Sequence, residues 1–266
     1  MGGVLVLLGA IAALTATSFG TADAVYNKFY ARFSAPQLDP KRAQGFWVMP
    51  RTTKEAVADS WAVVREQANR ADGTSLWLRK KDYRIGLLFD KRGSVAGTVV
   101  SVSVADVQKS RTPFKFANNK EWFRQKLSGV DVYSTIAYYV PKSVLQAGGR
   151  PMAANTPTAP GVNLLRVKPG VGGEVSRLAV ASTEQGMTAQ GWTKQGCYPG
   201  QGYHLYEGLN NNTSCDDLTT YFPMSSPKQH DLSALGVTIW GTVSDSRPWL
   251  EPQKTSYLLV SRVRRR

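Results

Sequence analysis

The chain has 266 residues, which suits one large domain or two small ones, and 42% of them are hydrophobic and 10% aromatic. This composition allows a packed core and argues against a disordered chain. Lysine and arginine outnumber aspartate and glutamate by 33 to 19, a net charge of +14. Such a charge favours acidic proteins, anionic lipid headgroups or nucleic acid as partners, although a basic protein of a basic compartment would also carry it.

Residues 1–24 form a hydrophobic N-terminal segment without a charged side chain before Asp23. Two interpretations are open. One is a cleaved secretory signal that ends near Ala24, and the other is an uncleaved helix over residues 2–22, long enough to cross a bilayer. No Lys or Arg precedes the apolar run, while basic residues follow it from Lys28 to Arg42. These charges favour the anchor and place the main domain on the cytoplasmic or matrix side.

A tether is predicted over residues 25–44, followed by a first α+β unit over residues 45–145. Thr52, with Glu55 in the first turn, indicates a helix start, and apolar residues at helical spacing extend the predicted helix to Gln67. Trp122 and Phe123 are predicted to lie in the core. Strands are predicted at residues 76–78 and 136–140, and a β-hairpin at residues 83–104 with its turn at residues 90–93.

The second half of the chain repeats features of the first half. A Gly/Pro-rich connector is predicted over residues 146–177, and a second α+β unit over residues 178–266. Thr52 lies nine positions before Trp61, and Thr183 lies nine before Trp192, and each interval indicates a helix start that leads to a tryptophan. The segments that begin at Val95 and Thr135 likewise resemble those that begin at Leu235 and Thr255. The predicted fold is therefore α+β, with two related, mainly antiparallel β units, each with a short helix, and an N-terminal hydrophobic helix.

Cys197 and Cys215 are the only cysteines. In an oxidising compartment they are predicted to form a disulfide, which would stabilise the short loop between them by about 3 kcal/mol. In a reducing compartment they would be two thiols. Their spacing from His204 and His230 matches no zinc pattern, so the sequence predicts no metal and no cofactor.

The same loop carries a candidate ligand or partner surface. A general base at His204, acting with Asp216 or Asp217, is one interpretation, but a structural histidine is favoured and no catalytic residue is predicted. No RNA-binding, zinc-finger or basic-helix pattern accompanies the arginines at the C-terminal end, so nucleic acid is disfavoured and anionic lipid or protein is favoured there. The predicted ligand surface is Tyr198, Tyr203, His204 and Tyr206, and the predicted anionic-partner contact is Arg262, Arg264, Arg265 and Arg266.

Residues 191–206 read G-W-T-K-Q-G-C-Y-P-G-Q-G-Y-H-L-Y. They resemble the motif G-W-x-K-x-x-C-x-x-G-M-G-x-H-Y of a poorly characterised family of eukaryotic secreted or membrane-tethered proteins. Residues 87–97 and 137–141 resemble that family's L-L-F-D-x-x-G-x-I-A-G and A-Y-F-x-x-P, in the same order, so that the resemblance spans roughly residues 45–260. The chain departs from the pattern at Gln201, where Met is usual, and lacks the cysteines expected after Pro141 and near the end. The resemblance implies an architecture and no particular activity.

These observations favour a non-catalytic accessory or structural subunit, tethered by one N-terminal helix to a larger membrane complex. A mitochondrial respiratory-chain complex is the concrete case, and the expected partners are other protein subunits of that assembly. The alternative is a secreted, disulfide-containing binding module for carbohydrate or protein ligands. In a secretory lumen its overlapping glycosylation sequons at Asn211 and Asn212 would be used.

Overall fold

The computed structural model describes residues 13–16, 26–32, 46–110, 114–150, 162–168, 174–198, 202–210, 212–213 and 219–238. Within them, antiparallel strands dominate and the helices are short, which confirms the predicted mainly antiparallel fold. The helices are α1 Thr53–Ala58, α2 Val104–Lys109, α3 Lys142–Gln146 and α4 Glu184–Ala189. The strands are β1 Ala13–Ala16, β2 Tyr26–Arg32, β3 Phe46–Val48, β4 Trp61–Val63, β5 Thr74–Arg79, β6 Ile85–Asp90, β7 Val95–Ser103, β8 Phe123–Leu127, β9 Val130–Tyr138, β10 Val162–Arg166, β11 Ser176–Val180, β12 Trp192–Tyr198, β13 Gly202–Glu207, β14 Tyr221–Ser225 and β15 Leu232–Val237.

The strands form three sheets. The largest has the order β11-β10-β9-β7-β6-β5-β4, and β8 also pairs with β9. Strand β7 pairs along one edge of β9. The other edge of β9 is shared by two strands, since β8 pairs with Val130–Ser134 and β10 pairs with Ala137–Tyr138. A four-stranded sheet has the order β12-β13-β14-β15, and a three-stranded sheet has the order β1-β2-β3.

The N-terminal hydrophobic segment is described only at β1, where four residues pair with β2 as a strand. A helix was expected there, and the rest of residues 2–22 lies outside the part of the chain that the structure describes. The predicted membrane-spanning helix therefore stays a prediction.

The central strands of the eight-stranded sheet are buried on both faces. Every residue of β6 and β7 is buried, which agrees with the run of valines and leucines in them. The four-stranded sheet reaches this sheet at β9, where the Thr135 hydroxyl donates to the Tyr221 hydroxyl at 2.8 Å. The three-stranded sheet reaches it at Tyr139, whose ring meets Phe29 edge-on at 5.6 Å. The smaller sheets thus pack on the large one around a shared apolar core.

A buried ionic network also joins the large sheet to the four-stranded one. Glu121 is fully buried, and its carboxylate lies 2.6 Å from the Arg166 guanidinium at the end of β10. Arg166 also donates to Glu207 of β13 at 2.7 Å, and the backbone N–H of Thr220 donates to Glu121 at 2.6 Å. Burial raises the pKa of Glu121, against the opposing effect of Arg166. The network ties both sheets to one arginine.

The first helix is shorter than the sequence predicts. It ends at Ala58, and Ser60 follows in the left-handed region with a φ of 63°. Trp61 then begins β4, which pairs with β5 through Trp61 and Arg79. The Trp61 side chain is 3% exposed, so burial and strand pairing override the helical spacing of the apolar residues. The hairpin of β6 and β7 and the strand β5 lie where the sequence predicts them, whereas β9 begins at Val130, six residues before the strand predicted at residues 136–140.

The backbone around α1 and α4 has the same hydrogen bonds. Thr52 and Thr183 cap the two helices, each with its hydroxyl accepting a backbone N–H at 3.1 Å. The next residue donates its N–H across to the sheet, from Thr53 to the Gly93 carbonyl at 2.9 Å and from Glu184 to the His230 carbonyl at 2.7 Å. Each helix is followed by a buried tryptophan that begins a four-stranded meander, Trp61 for β4–β7 and Trp192 for β12–β15.

One bulge of each meander also corresponds, whereas the shift between Lys194 and Cys197 in β12 has no counterpart in the pairing of β4 with β5. The pairing of β6 with β7 shifts between Leu88 and Phe89, and that of β14 with β15 shifts between Met224 and Ser225. When the two bulges are aligned, Val95 corresponds to Leu232. The sequence resemblance instead aligned Val95 with Leu235, three residues later. The segment that begins at Thr255 lies beyond the described residues.

Candidate functional site

A solvent-open cleft of about 590 Å³ lies at the turn between β6 and β7. We call it the basic cleft. Residues 68–70 and 73–75 form one wall, the turn at residues 90–93 forms the other, and Thr53 at the start of α1 closes one end. This volume is within the usual range of small-molecule sites.

Asp90 and Gly93 shape the turn that borders the basic cleft. The Asp90 carboxylate accepts the backbone N–H groups of Arg92 at 3.0 Å, Ser94 at 2.9 Å and Arg150 at 3.0 Å. Gly93 has a φ of +81°, and a Cβ there would lie 2.6 Å from the Thr53 hydroxyl oxygen. The Asp and the first Gly of the segment that resembles L-L-F-D-x-x-G-x-I-A-G are therefore explained by turn structure.

Three cationic side chains line the basic cleft. Arg70 is held in place by Asp72 at 2.9 Å and by the Gln67 side chain at 2.8 Å. Lys91 and Arg92 lie at the exposed tip of the turn, and neither has a carboxylate partner among the residues that the structure describes. The three cations outnumber the nearby carboxylates Asp72 and Asp90 by one, so the local potential favours an anion.

Asp72 fixes the wall that carries Arg70. It accepts hydrogen bonds from the Thr74 hydroxyl and the Tyr138 hydroxyl, both at 2.5 Å, in addition to the Arg70 pair. Burial opposes ionisation of Asp72, but Arg70 together with the hydrogen bonds from Thr74 and Tyr138 outweighs it and lowers the pKa of this carboxyl. Burial, together with Asp72, raises the pKa of Tyr138. The Arg177 guanidinium stacks 3.6 Å above the Tyr138 ring, so β9 and β11 support this wall.

His204 and Tyr206 lie in the core and not on a ligand surface. They are 8% and 9% exposed, and their rings stack on Phe222 at 5.1 and 5.3 Å. Burial lowers the pKa of His204 to about 4, so this side chain is neutral at pH 7. Residues two apart on a strand face the same side, which explains why both are buried together.

Only Tyr203 of the predicted ligand surface is partly accessible among the side chains described there. It is half-buried, and the Lys194 ammonium lies 3.6 Å above its ring. Cys197 is exposed and carries a free thiol, whereas Cys215 is outside the described residues, so the disulfide stays a prediction. Asp216, Asp217, the Tyr198 side chain and the four C-terminal arginines are likewise not described.

Gly202 is one of the glycines of the motif between residues 191 and 206, and its backbone conformation explains why glycine is required there. Its φ is +101°, and a Cβ would lie 2.2 Å from the Ser225 carbonyl oxygen. Only glycine allows β13 to start so close to the end of β14.

No group of three or more His, Cys, Asp or Glu side chains in the described part of the chain is placed to hold a metal ion. No helix in the described ranges is long and apolar enough to cross a membrane. Comparisons with protein family models, curated proteins and solved structures found no match to the chain.

Proposed function

We propose that this chain is a non-catalytic accessory subunit of a larger membrane complex, tethered by a helix over residues 2–22, whose folded body docks onto acidic partners. A mitochondrial respiratory-chain complex is the concrete case. The observation that carries the proposal is the distribution of charge over the described surface.

At least eight acidic side chains are engaged in ion pairs within the chain. They are Asp59, Asp72, Asp82, Glu121, Asp131, Glu174, Glu184 and Glu207. Many exposed cations, in contrast, have no carboxylate partner within the described ranges. These cations include Lys54, Lys80, Lys81, Lys91, Arg92 and Lys228.

Internal pairing therefore neutralises much of the negative charge and leaves positive charge facing solvent. A surface of this kind accelerates encounter with acidic partners and fixes their orientation more than it adds affinity. Contacts made by exposed charges are screened by salt, so the docking is expected to weaken as ionic strength rises.

A duplicated scaffold would suit such a role. The matching caps at Thr52 and Thr183, the matching tryptophans and the matching bulges support two related α+β units, consistent with an ancestral duplication. We propose that these units supply rigid surfaces for neighbouring subunits.

Native gel electrophoresis after extraction in a mild detergent tests the proposal. We expect the chain to migrate with a large complex at low salt and to be released progressively at high salt. A chain found only as a free monomer under mild extraction would refute the subunit hypothesis.

A secreted binding module is the second candidate, and it requires the exposed Cys197, whose thiol is free in this structure, to pair with Cys215. A disulfide to Cys215 would place a constrained polar loop at the surface. Peptide mapping of the native protein is expected, in this case, to find Cys197 linked to Cys215 and a glycan on Asn211 or Asn212. Unmodified peptides would exclude it.

A further inference from the structure

The residue after the helix cap differs between the two matching helix starts. In the second, Glu184 follows Thr183, and its carboxylate binds the Lys194 ammonium at 2.7 Å and the Ser225 hydroxyl at 2.5 Å. The His230 ring nitrogen lies 3.5 Å from the same carboxylate. Burial opposes ionisation, but Lys194 and Ser225 lower the pKa of Glu184. This place therefore holds an anion that belongs to the chain.

In the first helix start the same backbone position carries Thr53, which is short and neutral. It donates its N–H to Gly93, as Glu184 does to His230, and Gly93 has no side chain. Asp90 is the one carboxylate among the described residues that line this space, and its oxygens already accept the backbone N–H groups of Arg92, Ser94 and Arg150. Thr53 and Gly93 instead border the basic cleft, which also receives Arg70, Lys91 and Arg92.

We propose that the basic cleft binds the phosphate group of a ligand, beside Thr53 and Gly93, where the second helix start holds its own carboxylate. This inference rests on the proposed function only for the anionic character of the partner. The guanidinium fork of Arg92 and the Lys91 ammonium suit phosphate oxygens. Hydroxyl and amide groups at Thr53, Ser75 and Asn69 line the same space.

The volume of the cleft exceeds what an isolated phosphate needs, so the phosphate is expected to be part of a larger molecule. A phospholipid headgroup and a soluble phosphate ester share this chemistry. Two probes separate them: inorganic pyrophosphate, and vesicles of phosphatidylcholine prepared with and without phosphatidic acid.

In the first assay, the full chain in neutral detergent is titrated with pyrophosphate and binding is measured by calorimetry. In the second assay, binding is measured by co-sedimentation with the vesicles. The test variant is Lys91→Gln/Arg92→Gln. The matched control is Lys80→Gln/Lys81→Gln, which removes two exposed cations from the turn between β5 and β6. We expect the test variant to weaken phosphate binding roughly tenfold or more, from the loss of two charge-assisted contacts. The control is expected to change it less than about twofold.

Thr53→Glu is the more specific variant, because it places a carboxylate where Glu184 lies in the second helix start. An acidic residue is favoured in the first turn of a helix, so the fold is expected to persist while phosphate binding is abolished. Unfolding midpoints of wild type and variant verify that the fold is retained.

Binding of pyrophosphate supports a soluble ester, and binding of phosphatidic acid vesicles alone supports a lipid headgroup. Absence of saturable binding of both probes would overturn the inference, as would equal weakening by the two double variants or unchanged binding in Thr53→Glu. Co-migration with a membrane complex is scored separately on wild type, so either proposal can fail while the other holds.

Discussion

Arg166 is the cation of the buried network between two sheets, and its replacement by methionine would leave the Glu121 carboxylate without its arginine and Glu207 with only the Lys120 ammonium at 3.8 Å. Its guanidinium lies 2.6 Å from Glu121, which is fully buried, and 2.7 Å from Glu207. Removal of one partner of a buried ion pair typically costs about 3–5 kcal/mol. We expect Arg166→Met to lower the free energy of unfolding by this amount.

Urea unfolding followed by tryptophan fluorescence measures the loss. The matched control is Arg124→Met, because Arg124 pairs with Asp131 at 3.1 Å while the two side chains are 60% and 49% exposed. An exposed pair is worth at most about 1 kcal/mol. Glu121→Gln combined with Arg166→Met is expected to recover part of the loss, because an amide oxygen still accepts the Thr220 N–H without a buried charge.

The stability lost in Arg166→Met is also expected to depend on pH. Burial raises the pKa of Glu121 above its ordinary 4.5, and loss of Arg166 raises it further. The folded carboxyl then keeps its proton where the unfolded one has lost it, so stability falls as pH rises above the unfolded pKa. Arg166→Met is therefore expected to be more harmful at pH 8 than at pH 5. Equal losses for Arg166→Met and Arg124→Met would refute the reasoning.

Three further predictions concern the core and the turns. Gly148 and Gly149 both have positive φ, but only at Gly149 would a Cβ meet Asp90, at 2.4 Å, so Gly149→Ala is expected to destabilise by about 2 kcal/mol more than Gly148→Ala in urea unfolding. The folded pKa of His204, about 4, lies below its ordinary 6.5, so the stability that neutral His204 contributes is lost as pH falls from 6.5 to 4. Over this window the free energy of unfolding of wild type is expected to fall by roughly 3 kcal/mol relative to His204→Phe, and parallel pH profiles of the two proteins would contradict this. Thr52→Ala removes the cap of α1 and is expected to cost about 1 kcal/mol, whereas an unchanged unfolding midpoint would show that the cap does not contribute.

The sequence predicts the local elements well because their signals are local. The hairpin of β6 and β7 follows from an apolar strand and a strand rich in β-branched residues around a turn that ends in Gly93, and both helix starts follow from Thr52 and Thr183. The predicted length of α1 is wrong, because the spacing of Val57, Trp61 and Val64 fits a continuous helix as well as it fits the short helix and strand that form. Pairing with β5 and burial of Trp61 decide the outcome, and both involve residues that are distant in sequence.

The candidate site was not predicted for the same reason. Thr53, Arg70 and Lys91 come from three separate segments, and only the folded chain brings them to one cleft. Arg92 was interpreted as part of a turn. His204 stood out as a histidine among glycines and tyrosines, and the sequence favoured a structural role for it. His204 and Tyr206 are two residues apart on one strand, and this spacing was the available signal that both side chains face the same side.

The intact mass of the native protein, with and without reductant, tests the tethered-subunit account most directly. The account predicts a full-length chain without glycan, because an anchor over residues 2–22 is not cleaved. A chain that begins near Val25, carries glycan and shows a two-proton mass deficit relieved by reductant would contradict it and identify a secreted binding protein.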